Sequence, residues 1–135
     1  MKFRRAVAVA GMCTAVTVGA AVTAPGAFAA TTYTMHTNDG DPGGRVTFQP
    51  DGDVVTLCDI ESDGWAVYLK VTDKTAGKDE YHYTIGGNGN CQTFRKSLGE
   101  PYDLDEGHVI HFKICLDKDG RDPSYCDTSD WANAN

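Results

Sequence analysis

The run WAVYLKVT, residues 65–72, alternates apolar and polar side chains almost one for one, and this period of two is the strongest constraint on the fold. Successive side chains of a strand point to opposite faces, so Trp65, Val67, Leu69 and Val71 are expected inward and Ala66, Tyr68 and Lys70 outward. The pattern recurs in short runs separated by Gly, Asp, Asn and Pro. RVTFQ sets Val46 and Phe48 on one face, YHYTI does so for Tyr81, Tyr83 and Ile85, and HVIHFKIC for Ile110, Phe112 and Ile114; VVTLCDI and CQTFRK read as further strands. DPGG at 41–44 reads as a turn in which Pro presets the bend and Gly supplies positive φ, and PDGD at 50–53 as a tight hairpin. No long apolar pattern of period 3.6 is present, so no sizeable helix is expected. The connections are too short for crossovers, which makes the strands antiparallel. The expected fold is all-β: a single small antiparallel β-sandwich, or open barrel, of about six to eight short strands. Its expected core is Val46, Phe48, Val55, Leu57, Trp65, Val67, Leu69, Tyr83, Ile85, Ile110, Phe112 and Ile114.

The chain opens differently. MKFRR is basic, the following AVAVAGMCTAVTVGAAVTA is uncharged, and AFA ends at Ala29. This is the pattern of a cleaved secretory signal peptide over residues 1–29. An extended N-terminal arm is expected over 30–42 and the β-sandwich domain over 43–135. The leader holds three of the 12 basic residues and none of the 19 acidic ones, so the remainder carries nine against 19, a net charge of −10. Nucleic acid and anionic membrane are therefore poor partners, and a secreted, extracellular protein is the expectation.

Cys13 leaves with the leader, and Cys58, Cys91, Cys115 and Cys126 remain. An even number in an exported chain reads as two disulfides. Four cysteines allow three pairings. The favoured one joins Cys115 to Cys126, closing a short polar loop, and Cys58 to Cys91, tying two distant segments. No CxxC pair points to zinc.

Sites are harder to find. CDIESDG at 58–64 resembles the first half of a calcium loop, but its twelfth position is Lys70, where a bidentate Glu is required. A looser calcium site from Asp51, Asp53, Asp59 and Asp63 on neighbouring turns is the remaining cofactor candidate. His108 and His111 are three apart on a strand, so they face opposite ways unless the strand begins after His108. Hydrolase motifs such as GxSxG and HExxH are absent. Lys118 and Arg121, in the loop between Cys115 and Cys126, would suit a trypsin-like pocket if the protein were a protease inhibitor, although Asp119 and Asp122 would follow the scissile bonds. Tyr33, His36, Tyr68, Lys118 and Arg121 are the candidate partner-binding residues. The aromatics Tyr33, Tyr68, Tyr102, Tyr125 and Trp131 would serve a carbohydrate-binding face.

Residues 36–71 carry Gly43, Gly44, Phe48, Gly52, Asp53, Cys58, Asp59, Asp63 and Gly64, and Cys91, Glu106, Gly107, Cys115 and Cys126 follow. With this spacing the chain resembles a class of small secreted actinobacterial proteins, and the resemblance implies a two-disulfide β-sandwich without assigned activity. In size, export and disulfides it also resembles the small adaptor subunit of the umbrella-shaped toxin particles secreted by streptomycetes. That resemblance implies that ATTYTMHTNDGD is an arm docking in a partner's cleft. The expected function is a secreted, non-catalytic domain whose partner is another protein, with a protease inhibitor or small extracellular hydrolase as the rival class.

Overall fold

The computed structural model describes residues 29–134. The expected leader lies almost wholly outside them, as does Cys13. Eight strands form: β1 (Tyr33–His36), β2 (Gly44–Gln49), β3 (Val54–Asp59), β4 (Ala66–Asp73), β5 (Lys78–Ile85), β6 (Cys91–Phe94), β7 (Val109–Asp117) and β8 (Ser124–Ala132). They make two four-stranded sheets, ordered β1-β2-β3-β6 and β5-β4-β7-β8. Every pairing is antiparallel. The sheets do not close into a barrel, so the sandwich alternative is the one the chain adopts.

The period-two runs place the core as expected. Val46, Phe48, Val55, Leu57, Val67, Leu69, Val71, Ile110, Phe112 and Ile114 are wholly buried between the sheets. Three expected core residues are less enclosed. Trp65 precedes β4 and is half-buried, Ile85 is half-buried, and Tyr83 remains 37% exposed. Tyr83 and Ile85 do face inward, opposite Leu69 and Val67. However, β5 is an edge strand and only the four-residue β6 ends the sheet across from it. Aromatic rings close both flanks of the aliphatic centre. Trp131 lies 4.8 Å from Phe112 and 5.3 Å from Tyr33, and on the other side Phe94 lies 5.0 Å from Tyr102 and 5.2 Å from Tyr83.

Two strands differ from the sequence reading. Residues 33–36 of the expected arm are β1, registered Tyr33 to Phe48 through His36 to Arg45. The arm is therefore part of the sandwich rather than a free extension, because Met35 buries itself in the core and Tyr33 stacks on Trp131. The polar segment after the β7 loop is β8, held by pairing with β7 rather than by apolar alternation.

Both favoured disulfides form, and each lies within a sheet. Cys58–Cys91 joins directly opposed residues of β3 and the edge strand β6, and Cys115–Cys126 joins β7 to the edge strand β8. At the far end from these bridges, Asn133 is fully buried. Its amide donates to Asp53 Oδ1 at 2.9 Å and to the Leu104 carbonyl at 3.1 Å, and Leu104 N–H donates to Asp53 Oδ2 at 3.0 Å. This clamp gathers the β2–β3 turn, the 95–108 connection and the tail at one point.

DPGG contains a correction of its own. Neither Gly43 nor Gly44 has positive φ; in that connection Gly40 does, at 85°. Gly44 opens β2 and is small for a packing reason. A Cβ there would stand 2.5 Å from Val67 Cγ1 of the opposite sheet and 3.0 Å from Thr37 Cγ2. We expect Gly44→Ala to cost about 1–3 kcal/mol through overpacking, seen as a lower urea midpoint with an unchanged slope.

Candidate functional site

Strand polarity gathers four connections at one end of the sandwich: 37–43, 60–65, 86–90 and 118–123. Backbone hydrogen bonds tie them together. Asn38 N–H donates to the Tyr125 carbonyl, Ile60 N–H to the Gly43 carbonyl and Gly89 N–H to the Asp59 carbonyl, at 2.8 to 2.9 Å. The two disulfides lie at the same end, since Cys58, Cys91, Cys115 and Cys126 all flank these connections.

Trp65 stands at the centre of this end and lines two grooves. One, of about 330 Å³, lies between the two connections that cross from sheet to sheet, with Asp59, Glu61, Ser62 and Asn88 around it. The other, of about 280 Å³, is bounded by Lys118, Arg121, Asp122 and Ser124. Lys118 Nζ sits 5.3 Å from the centre of the indole, and Tyr125, 52% exposed, meets it edge-on at 5.9 Å. A cation over an indole face is an attractive arrangement. Thus Lys118 and Arg121, chosen from the sequence as partner contacts, do lie together. Trp65 does not figure among those contacts, because the alternation that identified β4 made it a core residue.

The inhibitor geometry is not what this loop presents. Arg121 N–H donates to the Lys118 carbonyl at 3.2 Å, and Asp119 and Gly120 between them have φ of 60° and 66°. Two central residues with positive φ make a tight hairpin turn, whereas a protease cleft takes an extended segment.

The other candidates are scattered. Tyr33 is packed against Trp131 and Phe48. His36 is exposed on β1, and Tyr68 lies on the outer face of the second sheet, 6.2 Å from the His82 ring. The four suggested calcium ligands do not converge. Asp51 and Asp53 belong to the β2–β3 turn at the clamp end, and Asp53 is occupied by Asn133 and Leu104. Asp59 and Asp63 are at the loop end, six residues of β3 away, and Asp63 accepts from Trp65 N–H at 2.8 Å. Lys70, the residue at the twelfth loop position, pairs with Asp79 at 2.8 Å on the outer face of the second sheet.

The histidines have separate partners. Strand β7 does begin after His108. His108 Nδ1 lies 2.6 Å from Oδ2 of the buried Asp73 and 3.7 Å from Asp105, while His111 Nδ1 lies 2.6 Å from Asp130, which Lys74 also contacts. Asp73, Asp105 and His108 are the described residues whose donor types and proximity would suit a metal ion. At 2.6 Å the imidazole and the Asp73 carboxylate share a hydrogen bond. Neither His–Asp pair shows a hydroxyl or thiol hydrogen-bonded to its imidazole among the described residues.

No protein family, characterised protein or solved structure matches the chain. No helix among the described residues is long and apolar enough to cross a membrane.

The His108–Asp73 contact predicts a pH dependence. The hydrogen bond to Asp73 raises the His108 pKa above its ordinary 6.5, outweighing burial. Burial pushes the Asp73 carboxyl up, but hydrogen bonds from Ala76 N–H and His108 win and hold it below its ordinary 3.8. His108 therefore contributes stability that is complete below pH 6.5 and lost as pH rises through its raised value; Asp73 contributes stability complete above pH 3.8 and lost as pH falls through its lowered value. Thermal melting of the wild type should show a decline in Tm on the alkaline side of this window, and His108→Asn should flatten it. An identical alkaline decline in the variant would remove His108 as its source.

Proposed function

We propose that this protein is a secreted, non-catalytic domain that binds another protein through the end carrying Trp65. The supporting observation is the arrangement around that indole: a half-buried Trp between two grooves, with Lys118, Arg121 and Tyr125 beside it. Trp, Tyr and Arg are enriched among the residues that dominate the energetics of protein interfaces. The loops that present them are tied to one another by backbone hydrogen bonds and held next to two disulfides. A presenting surface fixed in this way loses little freedom on binding.

Export is supported by the leader pattern and by two disulfides, which persist in oxidising compartments. An adaptor joining larger secreted subunits is one form such a domain takes. With residues 33–36 paired in the first sheet, its docking surface would be the loop end rather than a free arm.

The test is affinity capture from the culture medium of the source organism with wild type, Trp65→Ala and Arg121→Ala. A stoichiometric protein should be retained by the wild type and weakened by about tenfold or more in the Trp65 variant, the loss expected for a hot-spot residue. Equal capture by all three forms, or no stoichiometric partner at all, would rule the reading out.

A further inference from the structure

We propose that the larger groove beside Trp65 receives the ammonium or guanidinium of a Lys or Arg side chain from a basic segment of the partner; this rests on the interaction reading above. The groove opens between the 60–65 and 86–90 connections, at the mouth of the space between the sheets. Its volume of about 330 Å³ accommodates one long side chain with part of its backbone.

The floor decides the chemistry. Asp59 follows Val55 and Leu57 at two-residue spacing, which puts it on the inward face of β3, and it is only 2% exposed. Its carboxylate accepts one hydrogen bond, from Glu61 N–H to Oδ1 at 3.3 Å. Among the described residues no Lys, Arg or His forms an ion pair with it. Oδ2 of Asp59 has no hydrogen-bond partner among the described residues and the residue lines the groove, so a cation entering there would supply the counter-charge this carboxylate lacks.

The walls point the same way. Glu61 lines the groove, and partial desolvation together with the charges of Asp41, Asp63 and Asp39 raises its pKa. Asp59, Glu61, Asp39, Asp41 and Asp63 put five carboxylates near this end, and none of them is in an ion pair among the described residues. The indole of Trp65 supplies an apolar wall. Lys118, which lies over this ring, belongs to the other groove, so the chain itself already uses Trp65 as a cation platform on that side. An anionic ligand would be repelled by Asp59 and Glu61, and a neutral saccharide would leave Asp59 without a counter-charge.

The experiment titrates isotope-labelled protein with a blocked pentapeptide, acetyl-Gly-Arg-Gly-Lys-Gly-amide, and follows amide and indole N–H resonances. Its acidic counterpart with Glu for Arg and Lys, and cellobiose, serve as the other arms. The basic peptide should give saturable shifts at the Trp65 indole and at amides of the 60–66 and 86–88 segments, and the acidic peptide none. Asp59→Asn should weaken binding by about tenfold, and the surface substitution Glu61→Gln, which leaves the floor intact, by a smaller factor. Asp122→Asn, in the other groove, should bind as wild type. Absence of shifts with the basic peptide, wild-type binding by both Asp59→Asn and Glu61→Gln, or saturable binding of cellobiose in its place would overturn the proposal. The two readings separate in the capture assay. If Trp65→Ala loses the partner while Asp59→Asn and Glu61→Gln keep it, the interaction reading stands and the cationic side chain is excluded.

Discussion

No disulfide joins the two sheets; what holds them face to face is the burial of one interlocking apolar layer. Phe48 and Phe112 meet at 5.0 Å across that layer, and the aliphatic residues of β2, β3, β4 and β7 fill the space beside them. Burial of this kind contributes roughly 25 cal/mol per Å² of apolar surface, and a chain this short has little surplus of it. Every other feature is arranged around that constraint. The bridges secure strands within each sheet, the aromatic pairs close the flanks, and the Asp53–Asn133 clamp seals one end with buried hydrogen bonds instead of apolar contacts.

The two ends of the sandwich consequently differ in character. At the clamp end Asp53 is met by Asn133 and Leu104, and Asp73 by Ala76 and His108, while Asn133 Oδ1 stays buried without a partner. At the loop end carboxylates outnumber their partners, and an indole stands half-exposed between two depressions. The groups left over there are those available to another molecule.

Much of the fold was legible in the sequence, because half-buried strands leave a period-two signature that β2, β3, β4 and β7 show plainly. The two bridges were favoured from loop length and from the tie between distant segments. The missing pieces have physical reasons. Strand β8 is an edge strand, and SYCDTSDWA shows mostly polar residues because Trp131 and a few neighbours alone reach the core side. Strand β1 is four residues long, too short for periodicity to register. At the site, Lys118 and Arg121 are recognisable from sequence as exposed cations on a stapled loop, whereas the acidic run 59–63 suggests a turn ligand at Asp59. The alternation Val55, Leu57, Asp59 carried the signal that it points inward. The Asp53–Asn133 clamp joins residues 80 positions apart, and no local pattern announces such a pair.

The position of the disulfides has a consequence for resistance to proteolysis. Proteolytic enzymes thread their substrates as extended segments, so they enter a β protein where an outermost strand peels away. This molecule has four such borders, and two of them, β6 and β8, are covalently fastened to the strand beside them. A third, β1, is weighted down by the stacking of Tyr33 on Trp131. Digestion is left to begin at β5, whose inner rings rest on the short β6, so the chain's susceptibility to cleavage is concentrated along one seam.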